Sequence, residues 1–320
     1  MEPMISICCT AYNHEKYVGE AIESFLMQKT SYPFEILVHD DASTDNTANI
    51  INKYEKDFPE LIKPIYQTEN QYSKNNHVGY FFNTLRAKGK YMAICEGDDY
   101  WTDPLKLQKQ VEYLEANPQC SLCTHAARRI SRDKKVVGYI KPGTHDQNFT
   151  TVDVIRHGGG GLFATNSMVY PRRLVQNMPD FYHHSPVGDF PLMLYLSLQG
   201  EMHYMAQCMS DYRVSTESSW TSRLNADKNN VGEHIRRIGI VLDEFNEYTG
   251  RRYEEEIRKC ILNREFTWLL SIFAIEKIKL EKYRENYESL SIKQKMRLYL
   301  GAYLPSVLEF SAKIRKIRKA

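Results

Sequence analysis

The chain has 320 residues, 42% of them hydrophobic and 26% charged. That is the composition of a soluble globular protein with one large or two modest cores, and it excludes disordered and fibrous classes. With a formal net charge of only +2, no overall field favours nucleic acid, so any basic surface has to be local.

Seven cysteines, an odd number with Cys8, Cys9 and Cys95 inside apolar runs, fit small buried hydrophobes in a reducing compartment better than a disulfide framework. Cys120-Ser-Leu-Cys123 with His125 resembles half a zinc site, but no second Cys or His pair follows at ligand spacing, which favours a strand that buries alternate side chains. The first residues lead straight into a strand-like run without the basic and apolar segments of a secretory leader, so none is expected. No apolar stretch reaches the roughly 18 residues of a membrane span; the longest, Phe266 to Ile275, carries Thr267 and Ser271.

In chain order, Met4 to Thr10 reads as a strand, and the change to Val18, Ala21, Ile22, Phe25 and Leu26 marks a helix with Asn13 as its expected N-cap. Phe34 to His39 is a second strand. Ser43 or Asp45 is placed to cap a helix with Ile50, Ile51, Tyr54 and Phe58 on one face. Leu61 to Tyr66 reads as a strand, Val78 to Ala87 as a helix and Tyr91 to Cys95 as a fourth strand. Asp103 and Pro104 then open a helix with the buried stripe Leu107, Val111 and Leu114. Such alternation implies right-handed βαβ units and a mainly parallel sheet, whose ligands bind beyond the carboxyl ends of the strands. Thr10-Ala11-Tyr12, Asp40-Asp41 and Glu96-Gly97-Asp98-Asp99 therefore share one rim.

After residue 120 the alternation weakens. Ser121 to Ala126, Val136 to Ile140 and Ala164 to Tyr170 read as strands, and Pro171-Arg172-Arg173 opens a short helix. Gly158 to Gly161 is either a loop over a ligand or a linker, since no Lys-Ser or Lys-Thr follows at phosphate-loop spacing. From residue 228 the chain reads as helical, with Ile235, Ile238, Val241, Leu242 and Phe245 on one stripe. The expected division is 1–227 and 228–320.

The acid cluster Glu96, Asp98 and Asp99 calls for a cation, because uncompensated carboxylates at a buried strand end repel one another and resist desolvation. Ile5-Ser-Ile-Cys-Cys-Thr10-Ala-Tyr12-Asn13, Glu35-Ile-Leu-Val-His-Asp40-Asp41-Ala-Ser43-Thr-Asp45 and Ala87-Lys-Gly-Lys-Tyr91 leading into Glu96-Gly-Asp98-Asp99-Tyr100-Trp101, in that order and each at a strand end, resemble the family 2 glycosyltransferases over residues 4 to 225. The resemblance implies a GT-A (nucleotide-diphospho-sugar transferase) fold, here with a helical C-terminal extension, and inverting transfer of a sugar. It implies that Thr10, Ala11 and Tyr12 line a base pocket, with Tyr12 stacking on the base. It also implies that Asp41 accepts from a ring N–H, which suits uracil or thymine better than cytosine and so a UDP-sugar donor, and that Asp98, with Glu96 or Asp99, holds Mn²⁺ or Mg²⁺ on the diphosphate. The family more often has Asp where this chain has Glu96.

Transfer of a sugar from a nucleotide diphosphate requires a neutralised leaving group and a base for the acceptor hydroxyl. Asp189, just before the apolar run Leu192 to Leu198, resembles the family's base; read by itself it is a helix N-cap. Where the family often carries a His two residues after an Arg, this chain has Ser215, which leaves Arg213 for phosphate charge or an ordinary ion pair. His183 and His184 precede the base and read either as acceptor contacts or as ordinary surface histidines.

At the C-terminus, Val307, Phe310, Ile314 and Ile317 form an apolar stripe beside Lys313, Arg315, Lys316, Arg318 and Lys319. Residues 305–320 thus read as a membrane-surface helix or as a docked terminal helix with a solvated basic edge. The expected function is a metal-assisted hexosyl- or N-acetylhexosaminyl-transferase acting on a glycan or lipid-linked acceptor in bacterial surface-polysaccharide synthesis, with no nucleic-acid partner. Its expected place is the cytoplasm or the inner face of the cytoplasmic membrane. The alternatives are a catalytically silent sugar-nucleotide-binding or membrane-docked assembly protein, and a nucleotidyltransferase of related fold.

Overall fold

A computed structural model describes residues 2–75, 77–159, 161–214, 224 and 227–306, which fall into two units, Met1–Arg223 and Leu224–Ala320. In the first unit, β1 (Ile5–Ala11) is apolar on both faces, and every residue in it except Thr10 is buried, as in a strand covered on both sides. The period then changes. In α1 (Val18–Leu26) the buried residues Val18, Ala21, Ile22 and Phe25 recur every three or four positions. The alternation continues through β2 (Phe34–Asp40), α2 (Thr47–Asp57), β3 (Ile62–Tyr66), α3 (Val78–Phe82) and β4 (Tyr91–Ile94).

β1 pairs parallel with β2 from Ile5↔Phe34 to Ala11↔Asp40 and with β4 from Ile5↔Tyr91 to Cys8↔Ile94, and β2 pairs parallel with β3. The carboxyl ends of β1, β2 and β4 therefore lie along one edge. There the Asp41 amide donates to Ala11 O and the Gly97 amide to Thr10 O, both at 2.9 Å.

Next come β5 (Tyr100–Trp101), α4 (Lys106–Ala116), β6 (Cys120–Ile130), β7 (Val136–Ile140), β8 (Gln147–Phe149), α5 (Thr151–His157), β9 (Val169–Pro171), α6 (Asp180–His183), α7 (Asp189–Gln199) and β10 (Glu201–Arg213). The strands form a single sheet in the order β3-β2-β1-β4-β9-β6-β10-β5, with β7 on β6 and β8 on β10. β9 is antiparallel to both β4 and β6, so it joins two parallel sets, β3-β2-β1-β4 and β6-β10. Cys120 and Cys123 are buried along β6, and all seven cysteines are free thiols.

Several local expectations are corrected. Asn13 does not cap α1. Its backbone is left-handed (φ 55°) and its side-chain oxygen accepts from the Thr44 amide at 2.8 Å, so it ties the β1 end to the β2 end. Instead, α1 begins with the Tyr17 and Val18 amides donating to His14 O. Asp103 does satisfy a helix start, accepting from the Leu105 amide at 2.8 Å, although regular α4 begins at Lys106. The helix expected over 78–87 is a single turn of α-helix followed by a 3₁₀ turn at Thr84–Arg86. The strand expected over 164–170 is a 3₁₀ turn, Thr165–Ser167, before the short β9, because polar Thr165-Asn166-Ser167 interrupt the apolar run. Gly158 is the left-handed C-cap of α5 (φ 71°). The strands β5, β8 and β10 carry no alternation long enough to be read from sequence alone.

Trp101 holds the two halves of this unit together. It is 1% exposed, it packs on Phe25 with ring centroids 4.9 Å apart, and its indole N–H donates to Asn166 O at 2.8 Å. Lys106 Nζ, buried and lacking a hydrogen-bond partner, lies 4.1 Å from the indole centroid, and burial pulls its pKa down to about 7.

The second unit is helical. α8 (Lys228–Tyr248) buries Ile238, Val241, Leu242 and Phe245, with Ile235 half-buried, and it is followed by α9 (Glu254–Ser271), α10 (Ile275–Ile278), α11 (Arg284–Glu288) and α12 (Ile292–Tyr303). Among the described residues no helix is long and apolar enough to cross a membrane. Residues 307–320, which carry most of the expected basic tail, lie outside the described residues, as does Ser215.

Replacing Trp101 with Ala is expected to cost about 3–5 kcal/mol, the range for deleting a fully buried large aromatic side chain. Urea unfolding measured at equal m-value checks this.

Candidate functional site

The rim formed by the β1, β2 and β4 ends brings the expected base-pocket residues together. Thr10 and Tyr12 are half-buried at the end of β1, and Ala11 between them is fully buried. Asp41 lies beside them but is 1% exposed. Its two carboxylate oxygens accept from the Gln71 and Tyr72 amides at 2.7 and 2.9 Å, which fastens the segment after β3 over the β2 end. Behind it, His39 stacks on the Phe82 ring (4.6 Å, interplanar angle 3°), and burial lowers its pKa to about 4, so it is neutral at physiological pH.

In the acidic turn the three carboxyls are not equivalent. Asp99 is turned inward. Its Oδ1 accepts from the Arg213 amide at 2.7 Å and its Oδ2 from Asn166 Nδ2 at 3.1 Å, and burial followed by the Asp98 charge drives its pKa well up. Both its oxygens therefore serve the protein. Asp98 stays near the surface, with His14 Nε2 at 4.0 Å from its Oδ2. Gly97 between Glu96 and Asp98 has no room for a side chain, since a Cβ would lie 3.0 Å from both Ala11 Cβ and His14 Nδ1.

Arg213, at the end of β10, reaches the same turn. Its Nε donates to Asp98 O at 2.8 Å, one terminal nitrogen pairs with Glu20 at 2.8 Å, and the guanidinium lies 4.5 Å from the Tyr17 ring centroid. The guanidinium is thus held in an ion pair and against the backbone of the turn. β5 fixes the other side, because Tyr100 and Trp101 pair antiparallel with Asp211 and Ser210, and Tyr100 donates to Asp211 Oδ2 at 2.6 Å.

Glu96 is exposed to solvent at the start of the turn. Burial, then Asp98 and then Asp189, pushes its pKa up to about 8. Asp189, the first residue of α7, therefore faces the acidic turn from a separate element. It is itself raised by burial, partly offset by the Phe190 amide. Tyr212 on β10 sits among the same acids, and its phenol is raised first by burial and then by Asp99, Glu96, Asp189 and Asp98. His183, at the end of α6 and six residues before Asp189, stacks on Phe81 with centroids 5.8 Å apart. The structure thus gathers Thr10, Tyr12, Asp41, Glu96, Asp98 and Asp189 on one face of the unit, with Asp99 and Arg213 behind the turn.

Sequence reasoning missed His14, Glu20, Asn166 and Tyr212. Asn166 alone left a signal, as the polar break in an apolar run. It is 0% exposed, and its side chain bridges Asp99, Asp211 O and Ser210 Oγ.

Among the described residues no group of three or more His, Cys, Asp and Glu side chains is arranged to hold a metal ion by itself. The donors fit a different arrangement. Mg²⁺ and Mn²⁺ favour oxygen ligands, and a magnesium ion on a nucleotide needs only one or two carboxylates beside the phosphates. Asp98 and Glu96 would supply these, and a cation there would relieve the Asp98 repulsion that helps to raise Glu96.

The family described as "Glycosyl transferase family 2" matches residues 6–174, more than half of the chain. An uncharacterized protein of Mycobacterium tuberculosis is 34% identical over 222 residues, 68% of this chain but 61% of that protein's length, so the match spans less than two thirds of such relatives. The UDP-Glc:alpha-D-GlcNAc-diphosphoundecaprenol beta-1,3-glucosyltransferase WfaP of Escherichia coli is 35% identical over 112 residues, 35% of this chain and 41% of that protein. Among solved structures, that of S. aureus TarS 1-349 in complex with UDP-GlcNAc superposes with a TM-score of 0.56 at 15% identity, covering 90% of this chain and 92% of that one. That likeness assigns the fold, which is the GT-A fold with a helical C-terminal part.

The raised Glu96 has a consequence for stability. Folded, Glu96 keeps its proton to about pH 8, against 4.5 for an ordinary glutamate, so between these values the folded state binds the extra proton and stability falls as pH rises. Glu96→Gln removes that loss. The ligand-free variant is expected to melt at the wild-type temperature below pH 4.5 and above it beyond pH 8, as measured by calorimetry across that range.

Proposed function

Because the chain belongs to glycosyltransferase family 2, we propose that it transfers a sugar, with inversion, from a nucleotide diphosphate donor to a hydroxyl of a glycan or lipid-linked acceptor, with Asp189 as general base. The observation that carries this reading is the pair of opposed acidic elements. Glu96 and Asp98 lie at the end of β4, and Asp189, close enough to raise Glu96, starts a different helix. One acidic element suits the charged end of the donor and the other the acceptor hydroxyl.

In this reading the acceptor O–H gives its proton to an Asp189 oxygen as that hydroxyl oxygen attacks the anomeric carbon. The bond from that carbon to the diphosphate oxygen breaks, and the electron pair leaves with the nucleoside diphosphate. Attack opposite the leaving group inverts the anomeric centre. Burial raises Asp189 above the usual carboxylate range and so strengthens it as a base. Thr10 and Tyr12 take the nucleoside, while Asp41, whose two carboxylate oxygens already accept from the Gln71 and Tyr72 amides, positions the segment after β3 beside them.

Asp98 and Glu96 would hold Mn²⁺ or Mg²⁺, which would supply positive charge to the leaving group. Asp99 and Arg213 act by holding the turn in place, since their polar groups are already engaged within the protein. The donor class is further supported by the UDP-GlcNAc bound to TarS, and the lipid-linked acceptor by the diphosphoundecaprenol in the name of WfaP. Such an acceptor suits a peripheral position on the inner face of the cytoplasmic membrane, with residues 305–320 as a contact.

Asp189→Asn is expected to lower kcat for transfer by about 10²–10⁴-fold, the range for a lost general base, while donor affinity in titration calorimetry stays within about two-fold. Full activity in this variant removes Asp189 from the mechanism. Donor binding by the wild-type protein without UDP release on any acceptor favours a silent binding protein.

A further inference from the structure

In α12 the usual distribution of apolar residues is inverted. The helix packs on its own unit through Leu298 and Gly301, where a Cβ would run into the Phe273 ring. On the opposite side Ile292, Met296, Tyr299 and Tyr303 are 79%, 59%, 38% and 60% exposed. Helical geometry puts these four within about 60° of arc, and the Tyr299 and Tyr303 rings stack at 6.2 Å. A contiguous apolar stripe facing water marks an interaction face.

The charges say what covers it. Lys293 flanks the stripe on one side and Lys295 on the other, Arg297 lies beyond Lys293, and α12 contains no acid. Downstream, residues 304–320 add Lys313, Arg315, Lys316, Arg318 and Lys319 against the single acid Glu309. A second copy docking by the same face would bring further cations and no acid from its own α12 to pair with them. An anionic lipid surface meets both features, apolar side chains entering between headgroups and cations resting on phosphates, with tyrosines at the boundary they favour.

We infer that the Ile292–Tyr303 helix is a docking surface for an anionic bilayer, through the Ile292, Met296, Tyr299 and Tyr303 stripe and its lysine flanks. This surface is distinct from the basic tail and does not depend on the glycosyl-transfer reading.

Flotation of the full chain with vesicles of phosphatidylglycerol and phosphatidylcholine, against phosphatidylcholine alone, tests it. The wild-type chain should float with the anionic vesicles and be released by high salt. Met296→Asp with Tyr303→Asp should weaken binding by at least about ten-fold with the tail intact. Lys293→Glu with Lys295→Glu should weaken it by about five-fold or more per cation. Unchanged melting temperature controls for folding, and Met296→Ser with Tyr303→Ser replaces the aspartate pair if that pair does not fold. The inference fails if wild-type protein ignores anionic vesicles. It also fails if the stripe variants bind as wild type while deletion of residues 305–320 abolishes binding, or if wild-type protein is a dimer that the stripe variants split.

Discussion

Carboxylates placed at the end of a buried strand must each find a different use, and the rest of the catalytic unit is arranged around that constraint. Asp99 is taken out of the cleft altogether, its oxygens accepting from Asn166 and from the Arg213 backbone. Asp98 remains near the surface beside His14, and Glu96 is left facing solvent with an elevated pKa. If Asp99 also faced the cleft, a third like charge would add to the repulsion already felt by Glu96. Its inward turn therefore makes the other two acids usable.

That inward turn requires partners from distant parts of the chain. Asn166 comes from the 3₁₀ turn before β9, and Arg213 from the last residue of β10, more than a hundred positions beyond Asp99. The antiparallel β9 lets this happen, because it joins the parallel β1–β4 wall to the β6–β10 pair and so brings the end of β10 beside the end of β4. Trp101 locks the junction from beneath, with one face on Phe25 and its N–H on Asn166. Packing, pairing and polar satisfaction thus converge on one short segment, residues 98 to 101.

The first half of the fold was legible because its signals are local. Val18, Ala21, Ile22 and Phe25 repeat with helical period, and β1, β2 and β4 are short apolar runs closed by polar residues. The second half was less legible. β10 mixes buried and open positions across three register shifts against β6, so no period survives in its sequence, and β5 is two residues long. Asn13 misled for a similar reason. A residue with a capping side chain also suits a left-handed turn, and only the nearness of Thr44 decides between them.

The sequence by itself determined which residues meet at the rim, because parallel pairing forces consecutive strand ends onto one edge and Thr10, Asp41 and Asp98 each follow a strand. It also determined, through its motifs, the family to which the chain belongs. Only the tertiary structure decided what each rim residue does there. A carboxylate's role depends on which donors and charges surround it. For Asp99 and Asp41 the donors come from elements 30 to more than 100 residues away, and Glu96 feels Asp189 on a separate helix as well as its neighbour Asp98. The same holds for α12. Its stripe is plain in the sequence, but the packing of Leu298 and Gly301 on the opposite side is what turns it toward water.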